Sequence, residues 1–555
     1  MTLRSEPIPP STIDASTSFS PWLSWKGCLA VILLTALARI IFIIWLNPFE
    51  LSGDEAQYWD WSRRLDWSYY SKGPGVAWTI APFTALFGHH DWAVRLPAVL
   101  WAAVATLAMA RLTMDVAAAR GGTQRQIERA GFFGALAFTF FVGYQFSSVA
   151  MTIDGPHMAW WIIACWAAFR AFHAWHKGRT GTSAWLALGA AIGIGMLFKY
   201  TIAVLIVGII AFMIVGRRSI RFRLGPALGA LGVLLLCMSP VVIWNAQHDW
   251  ITVKHLIGRM NLPGGDEVIT NKNAAGFGFK WALRMLGDQL AILNITVIVF
   301  ILAVRRRSAA TANSGPPSSS GRFPAFTLMV CLALPILLMY LGISFISKIQ
   351  ANWPLPGYAT LLVLVAVVVS ETTDRRAGLV RWWRAWVTLG LAIFLGSLAL
   401  APIIRSAPVT ALREANEGID RAIERLTENS EAAARLQPVI EDLRRRTGKE
   451  PMVIAGHYML TAQMAFYLPG QPVAYSGAAY LGSRESSYDY FEDTRLDNPA
   501  LLGRPAVLYG GNLALWESKL EFERIDMNSQ THAIYAAVNY RGPRPRSGPA
   551  KENGQ

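Results

Sequence analysis

Residues 27–59 read GCLAVILLTALARIIFIIWLNPFELSGDEAQYW. A long apolar run, 27–47, ends, and within a few residues come two adjacent carboxylates, Asp54 and Glu55, with aromatics behind them. An apolar stretch of about 20 residues matches the thickness of a bilayer's hydrocarbon. Ionised carboxylates are costly near hydrocarbon and do not serve to pack a core. An acidic helix start accounts for the pair structurally: Gly53-Asp54 caps, and Glu55 meets the positive end of the macrodipole. Ser71-Lys72-Gly73-Pro74 nearby, and Asp154 at the mouth of another apolar run, favour a reactive outer site instead.

The rest of the chain repeats this pattern. Of 555 residues, 53% are hydrophobic and 16% charged, against the quarter charged that is ordinary in a soluble chain. Eleven candidate spans follow: 27–47, 93–112, 130–149, 156–173, 183–198, 200–216, 225–246, 281–304, 323–346, 353–370 and 385–404. Segments 51–92 and 247–280 have room for two more. The expectation is an all-α polytopic membrane protein with about 11–13 transmembrane helices. The net charge of +15 does not indicate nucleic-acid binding, because Lys and Arg sit in short loops between apolar runs. Cys28, Cys165, Cys237 and Cys331 lie inside apolar runs without paired spacing, as small core hydrophobes.

Loop charge sets the orientation. Loops 111–129, 217–223, 305–322 and 371–384 each carry four Lys or Arg, and 170–182 carries three. They alternate with the acidic or nearly neutral loops 48–92, 151–155, 247–275 and 347–351. The positive-inside rule makes the basic set cytoplasmic. Asp54, Lys72, Asp154, Lys199 and Lys348 then share the outer face. In the first outer loop, 48–92, Tyr58, Trp59, Trp61, Trp67, Tyr69, Tyr70 and Trp78 suit short helices lying in the interface.

The division expected is a disordered cytoplasmic tail over 1–26, a transmembrane unit over 27–404, an extracytoplasmic α/β domain over 405–540 and a disordered end over 541–555. Residues 410–447 have helical periodicity, and strand-like runs follow at Met452–Ala455, Pro472–Tyr475, Ala506–Tyr509 and Ala533–Val538. The loop Ser308–Gly321 reads as a flexible linker.

Asp54 can serve as a general base for an incoming hydroxyl, with Glu55 and Asp154 as further catalytic candidates. Asp154 precedes Gly155-Pro156 and so also suits an N-terminal cap. Lys72, in a Gly-rich turn, suits a phosphate; Lys199 and Lys348 are isolated lysines at span edges. Each of the three also fits a snorkelling lysine. Arg39 lies inside the first span and needs a partner or a polar cavity. Together these groups suit a lipid phosphate carrying a sugar, its tail among the helices and its phosphate on lysines. A carboxylate would deprotonate an acceptor hydroxyl that attacks C1 from the opposite side. No Walker or dinucleotide glycine pattern occurs, so no soluble nucleotide is implied.

Six ordered motifs resemble the GT-C superfamily of polyprenyl-phosphate-sugar transferases, in particular glycosyltransferase family 39. That family includes protein O-mannosyltransferases and is related to lipid A aminoarabinose transferases. The motifs are Gly53–Trp59, Tyr70–Pro74, Thr152–Pro156, Met196–Thr201, Pro240–Trp250 and Ser347–Pro354. The resemblance implies a GT-C fold, inverting transfer with Asp54 as leading base, and two interfacial helices in the first loop. It also brings in Tyr58, Tyr70, His248 and Asn352 as substrate-binding candidates. Gln57 and Ser71 depart from the Arg and Glu of the aminoarabinose branch. That branch's metal, phosphate contacts and substrate are therefore not carried over.

The expected activity is transfer of a sugar from a polyprenyl-phosphate donor, itself a membrane lipid, to a hydroxyl or phosphate of an extracytoplasmic glycolipid, lipopolysaccharide or lipid A, or protein. No cofactor, metal or nucleic acid is expected. The site would face the periplasm from the bacterial inner membrane. A secondary transporter or lipid-linked sugar flippase is the alternative, since intramembrane charges also mark ion and substrate paths. A scaffold subunit leaves the motifs unexplained.

Overall fold

A computed structural model describes residues 23–544 except 260–262, 267, 269–276, 295, 314–322, 373–377, 407–408, 410–415, 417–419, 421–422, 425 and 530–532. The expected N-terminal tail lies outside this range, apart from its last few residues. So do most of the linker and of the stretch before residue 429.

The structure is a helical membrane bundle with a small mixed-sheet domain on one end. Each of the eleven expected spans coincides with a helix or a bent helix pair. Among the described residues, five helices are long and apolar enough to cross a bilayer, and two helix pairs pass the same test together but are bent by 66° and 81°. The Thr182–Met196, Tyr200–Val215 and Leu355–Glu371 segments are shorter and apolar. The Asp154–His176 helix is long enough but carries polar residues, with His157 buried and Arg170 and His173 near its C-terminal end.

The two classes of loop gather at different ends. Arg120 pairs with Glu371 at 2.8 Å, and a His176 ring nitrogen lies 2.7 Å from the Ser219 carbonyl. At the other end Asp154 meets Lys199 and Asn352, and Tyr70 donates to Asp266. The Asp154–His176 helix, about 34 Å long at 1.5 Å per residue, separates the two sets.

The first outer loop holds two helices, Gly53–Ser62 and Gly75–Phe87. Its aromatics correct the interfacial expectation. Tyr58, Trp59, Trp61, Tyr69 and Tyr70 are buried in protein, and only Trp67 and Trp78 are exposed. Trp59 meets Phe466 edge-on at 4.7 Å, and Trp61 stacks on Tyr69 at 4.4 Å. The C-terminal domain covers this loop, and its Tyr458–Tyr467 helix lies against Gly53–Ser62. Gly53 permits that approach: a Cβ there would stand 2.6 Å from the Cβ of Met459.

The domain's sheet has strands β1 (Met452–Ala455), β2 (Ala474–Ser476), β3 (Ala506–Tyr509), β4 (Leu520–Ser529) and β5 (Ile534–Pro543), in the order β2-β1-β3-β5-β4. β1 runs parallel to β2 and β3; β5 is antiparallel to β3 and β4. Alternation splits the strands between two cores. Val453, Val507 and Ala536 face Leu436, Val439 and Leu443 of the Asn429–Thr447 helix. Met452, Ile454 and Leu508 face Trp516, Leu501 and Tyr540. β5 runs to Pro543, three residues into the expected disordered end. β4 is an unexpected edge strand, Leu-Glu-Phe-Glu-Arg-Ile-Asp.

Candidate active site

Helix formation at Gly53–Ser62 decides what each carboxylate does. Ser52 is the N-cap, and it forms a capping box with Glu55: the Glu55 amide reaches Ser52 Oγ, and Ser52 N donates to Glu55 Oε2 at 3.0 Å. This turns Glu55 inward. There its two oxygens accept from Arg95 Nε at 2.8 Å and Nη2 at 3.0 Å, and Oε1 also accepts from Met151 N at 3.1 Å. Arg95 donates further to the carbonyls of Phe49 and Glu50, both at 2.7 Å. Burial would raise the Glu55 pKa, but the Arg95 guanidinium and the backbone donors hold it below the usual carboxylate range. Glu55 thus ties together the first span's exit, the Asp91–Ala119 helix and the turn before Asp154. It has no capacity left for a substrate proton.

Asp54 is one residue earlier, about 100° around the helix. Its carboxylate opens to solvent and has no hydrogen bond or ion pair among the described residues. Yet it stands deep enough in the outer face that burial raises its pKa; Lys72 and Arg484 draw it back down, while Asp154 and Glu55 add to the rise. An accessible, unpaired, crowded carboxylate is what a base waiting for a substrate requires.

Lys72 is placed by a close backbone contact. Gly75 N donates to the Leu197 carbonyl at 3.0 Å, and a Cβ on Gly73 would stand 2.4 Å from that same oxygen. Only glycine lets the Lys72 turn lie on the Leu197–Lys199 break. The Lys72 ammonium also has no hydrogen-bonding or ion-pair partner among the described residues. Its pKa is pushed down to about 8, first by burial and then by Arg259, with Lys199 and Arg484 adding and Asp54 opposing.

Asp154 and Lys199, expected as separate functional groups, are partners at 2.7 Å. Asn352 Nδ2 donates to the other Asp154 oxygen at 2.9 Å. Three motifs distant in sequence therefore close on one carboxylate. Tyr58 is buried beside Asp54 and Asp154. Tyr70 is buried too, donating to Asp266 and facing His255 at 5.1 Å.

Two expected residues are not joined to this group by any contact among the described residues. Lys348 is exposed, and His248 stacks on Trp244 at 3.9 Å with a ring nitrogen 2.8 Å from the Trp244 carbonyl. Arg39 is 2% exposed, its guanidinium over Phe394 at 5.3 Å, with Nε unpartnered.

The sequence reading missed four residues. Arg484 lies over Tyr458 at 4.4 Å and over Tyr70 at 5.5 Å, and its charge reaches both Asp54 and Lys72. Arg259 and His255 border Lys72 from the Ile251–Arg259 helix; burial and the nearby cations keep His255 neutral. Arg95 carried a usable signal, an arginine at the start of an apolar run. Arg484 sits in a loop, and His255 and Arg259 on a short helix, with no pattern to mark them. Among the described residues, no three His, Cys, Asp or Glu gather into a metal-holding group.

The fold compares closely with ArnT from Cupriavidus metallidurans in the apo state, at TM-score 0.56 and 15% identity over 92% of this chain and 98% of that one. The fold is the GT-C fold. The same protein bound to undecaprenyl phosphate aligns at TM-score 0.55 and 14% identity, over 93% and 98% of the two chains. Residues 71–244 match the family described as dolichyl-phosphate-mannose-protein mannosyltransferase. Lipid A galacturonosyltransferase RgtD of Rhizobium johnstonii is 26% identical over 346 residues, 62% of this chain and 65% of the relative. The GT-C fold expected from the six motifs is borne out, residues 71–244 carry the expected mannosyltransferase likeness, and the chain is a multi-pass membrane protein.

Proposed function

We propose that this protein is an integral-membrane glycosyltransferase. It moves a sugar from a polyprenyl-phosphate donor to an extracytoplasmic acceptor, with inversion at C1. The observation that carries this reading is the nearness of Asp54 and Lys72: opposite charges that feel each other at one outer site, neither with an ion-pair partner among the described residues. The relatives' names add support, since one binds undecaprenyl phosphate and another is a lipid A galacturonosyltransferase.

In this reading Asp54 takes the proton of the acceptor hydroxyl as its oxygen bonds to C1. The C1–oxygen bond to the lipid phosphate breaks, and the electron pair leaves with the phosphate. Lys72 meets the charge that grows there; a group that strengthens its hold as charge develops lowers the barrier. Arg259 and Arg484 reinforce that field. Asp154, held by Lys199 and Asn352, fixes the second wall beside Tyr58. Glu55 positions and does not react. Lipid A is the leading acceptor candidate, and protein the second. The site faces the periplasm of a bacterial inner membrane.

The test is transfer of label from an undecaprenyl-phosphate sugar to lipid A or envelope protein by the purified chain in proteoliposomes. Protein-dependent label on an acceptor is the expected result. Movement of the intact donor between leaflets, without transfer, would make the chain a flippase.

A further inference from the structure

At the other end of the bundle lies a cavity of about 570 Å³, lined by Arg120, Arg170, Lys177, Arg179, Asp115 and the His173–His176 pair over Phe169 and Phe323. None of these residues belongs to the outer site. The floor is apolar and buried: Phe169 and Phe323 meet edge-on at 5.5 Å, and His173 and His176 pack on Phe323 at 5.3 and 5.6 Å. The rim is cationic.

Two features use up part of that positive charge. Arg120 is matched by Glu371 at 2.8 Å, and Asp115 accepts from Trp166 Nε1 at 2.8 Å. Four cations against these two carboxylates leave a surplus of two. The C-termini of the Asp91–Ala119 and Asp154–His176 helices both end here, and each offsets about half a charge. About one positive charge remains. Arg170, Lys177 and Arg179 have no carboxylate partner among the described residues.

We propose that this cavity binds the phosphodiester headgroup of an anionic glycerophospholipid. Such a headgroup carries one negative charge, which matches the surplus. The cavity sits where the spans end, at headgroup level, and basic pockets between helix ends on this side suit lipid phosphates. The three cations hold the phosphate through charge-assisted bonds, above the Phe169–Phe323 floor that closes the cavity.

The protein is reconstituted in nanodiscs of phosphatidylglycerol and phosphatidylcholine, and retained lipid is measured by native mass spectrometry. In the first variant Arg170, Lys177 and Arg179 are all changed to Gln. The control changes Arg217, Arg218 and Arg221 to Gln, an equal loss of charge in an adjacent loop. Retention of phosphatidylglycerol should fall by about tenfold or more in the first and stay near wild type in the control. The changed side chains are exposed, so both variants should keep the wild-type melting temperature. Equal loss in both, or no loss in the first, would refute the site. Displacement of the lipid by millimolar inorganic phosphate would assign the cavity to a soluble anion and overturn the lipid reading.

Discussion

Asp54 and Glu55 are chemically alike and adjacent, and the structure predicts opposite consequences for the same amide substitution. Asp54→Asn replaces an unpartnered, accessible carboxylate by a near-isostere. No bond in the fold is lost, so stability should change by no more than about 0.5 kcal/mol. The general base is lost, and turnover should drop by about 10²–10⁴-fold. Glu55→Gln is different. Glu55 Oε1 faces Arg95 Nε and Met151 N; Oε2 faces Arg95 Nη2, Ser52 N and Ser52 Oγ. A Gln amide nitrogen must replace one oxygen and so stands against at least two donors. It also leaves the Arg95 guanidinium, with 6% of its side chain exposed, without a counter-charge. Breaking a buried pair from one side costs about 3–5 kcal/mol. The apparent melting temperature in detergent should therefore fall clearly for Glu55→Gln and hardly move for Asp54→Asn. Initial rates of label transfer complete the comparison. A stable Asp54→Asn protein with more than a tenth of wild-type turnover would remove Asp54 as the base and move the role to Asp154. A Glu55→Gln protein that melts like wild type but is inactive would refute the structural role given to Glu55.

Four further outcomes follow from the same geometry. Lys72→Ala removes a charged hydrogen bond worth about 1.5–3 kcal/mol to the donor phosphate, so kcat/KM should fall about 10–100-fold; donor binding at the wild-type level would make Lys72 a surface anchor. With Asp54 raised by burial and Lys72 at about 8, kcat/KM should climb as Asp54 ionises and decline above pH about 8 as Lys72 loses its proton; Lys72→Arg should abolish that alkaline limb, and a limb that persists belongs to another group. Asn352→Ala strips one donor from Asp154 and should cost about tenfold in kcat while the Lys199 pair keeps the fold; full activity would detach Asp154 from the reaction. Single cysteines at Ser483 and Ser314 in a Cys-free background should label oppositely with an impermeant thiol reagent in spheroplasts, and labelling at 314 alone would invert the orientation.

The bundle was legible because apolar run length and loop charge are set by the bilayer and need no tertiary information. That is why all eleven expected spans meet a helix or helix pair. The sheet was legible where strands are buried on both faces: β1 and β3 were located to the residue from short apolar runs. β4 was missed because an edge strand with one solvated face alternates Glu521, Glu523 and Asp526 with Phe522 and Ile525, and the charges mask the period. The aromatic loop misled for a related reason. Trp and Tyr are favoured both at a bilayer interface and in a protein core, and composition cannot reveal that a domain beginning some 350 residues later covers them. The site's members were readable as isolated charges in apolar surroundings. Their pairing was not, since no spacing rule links Asp154 to Lys199 or Asn352.

That pairing divides the labour at the outer face. Arg95–Glu55 and Lys199–Asp154 are ion pairs that each join segments whose relative placement matters, while Arg63 and Arg64 close on Asp60 within one helix end. A buried pair contributes little net stability against an apolar replacement, yet it is costly to break, so it serves to fix one arrangement. The C-terminal domain enters the same scheme. Glu50 accepts from Ser430, Tyr467 donates to Asp91 at 2.8 Å, and Arg64 pairs with Asp493 at 2.7 Å. These ties hold Tyr458 and Arg484 over the membrane unit. Against that fixed frame, Asp54 and Lys72 have no ion-pair partner among the described residues, with Arg259 and Arg484 beside them, and leaving them unmatched is a cost the fold does not need to bear. A substrate that brings a proton to one and a phosphate to the other would relieve both at once, which is the physical ground for the transfer proposed at this face.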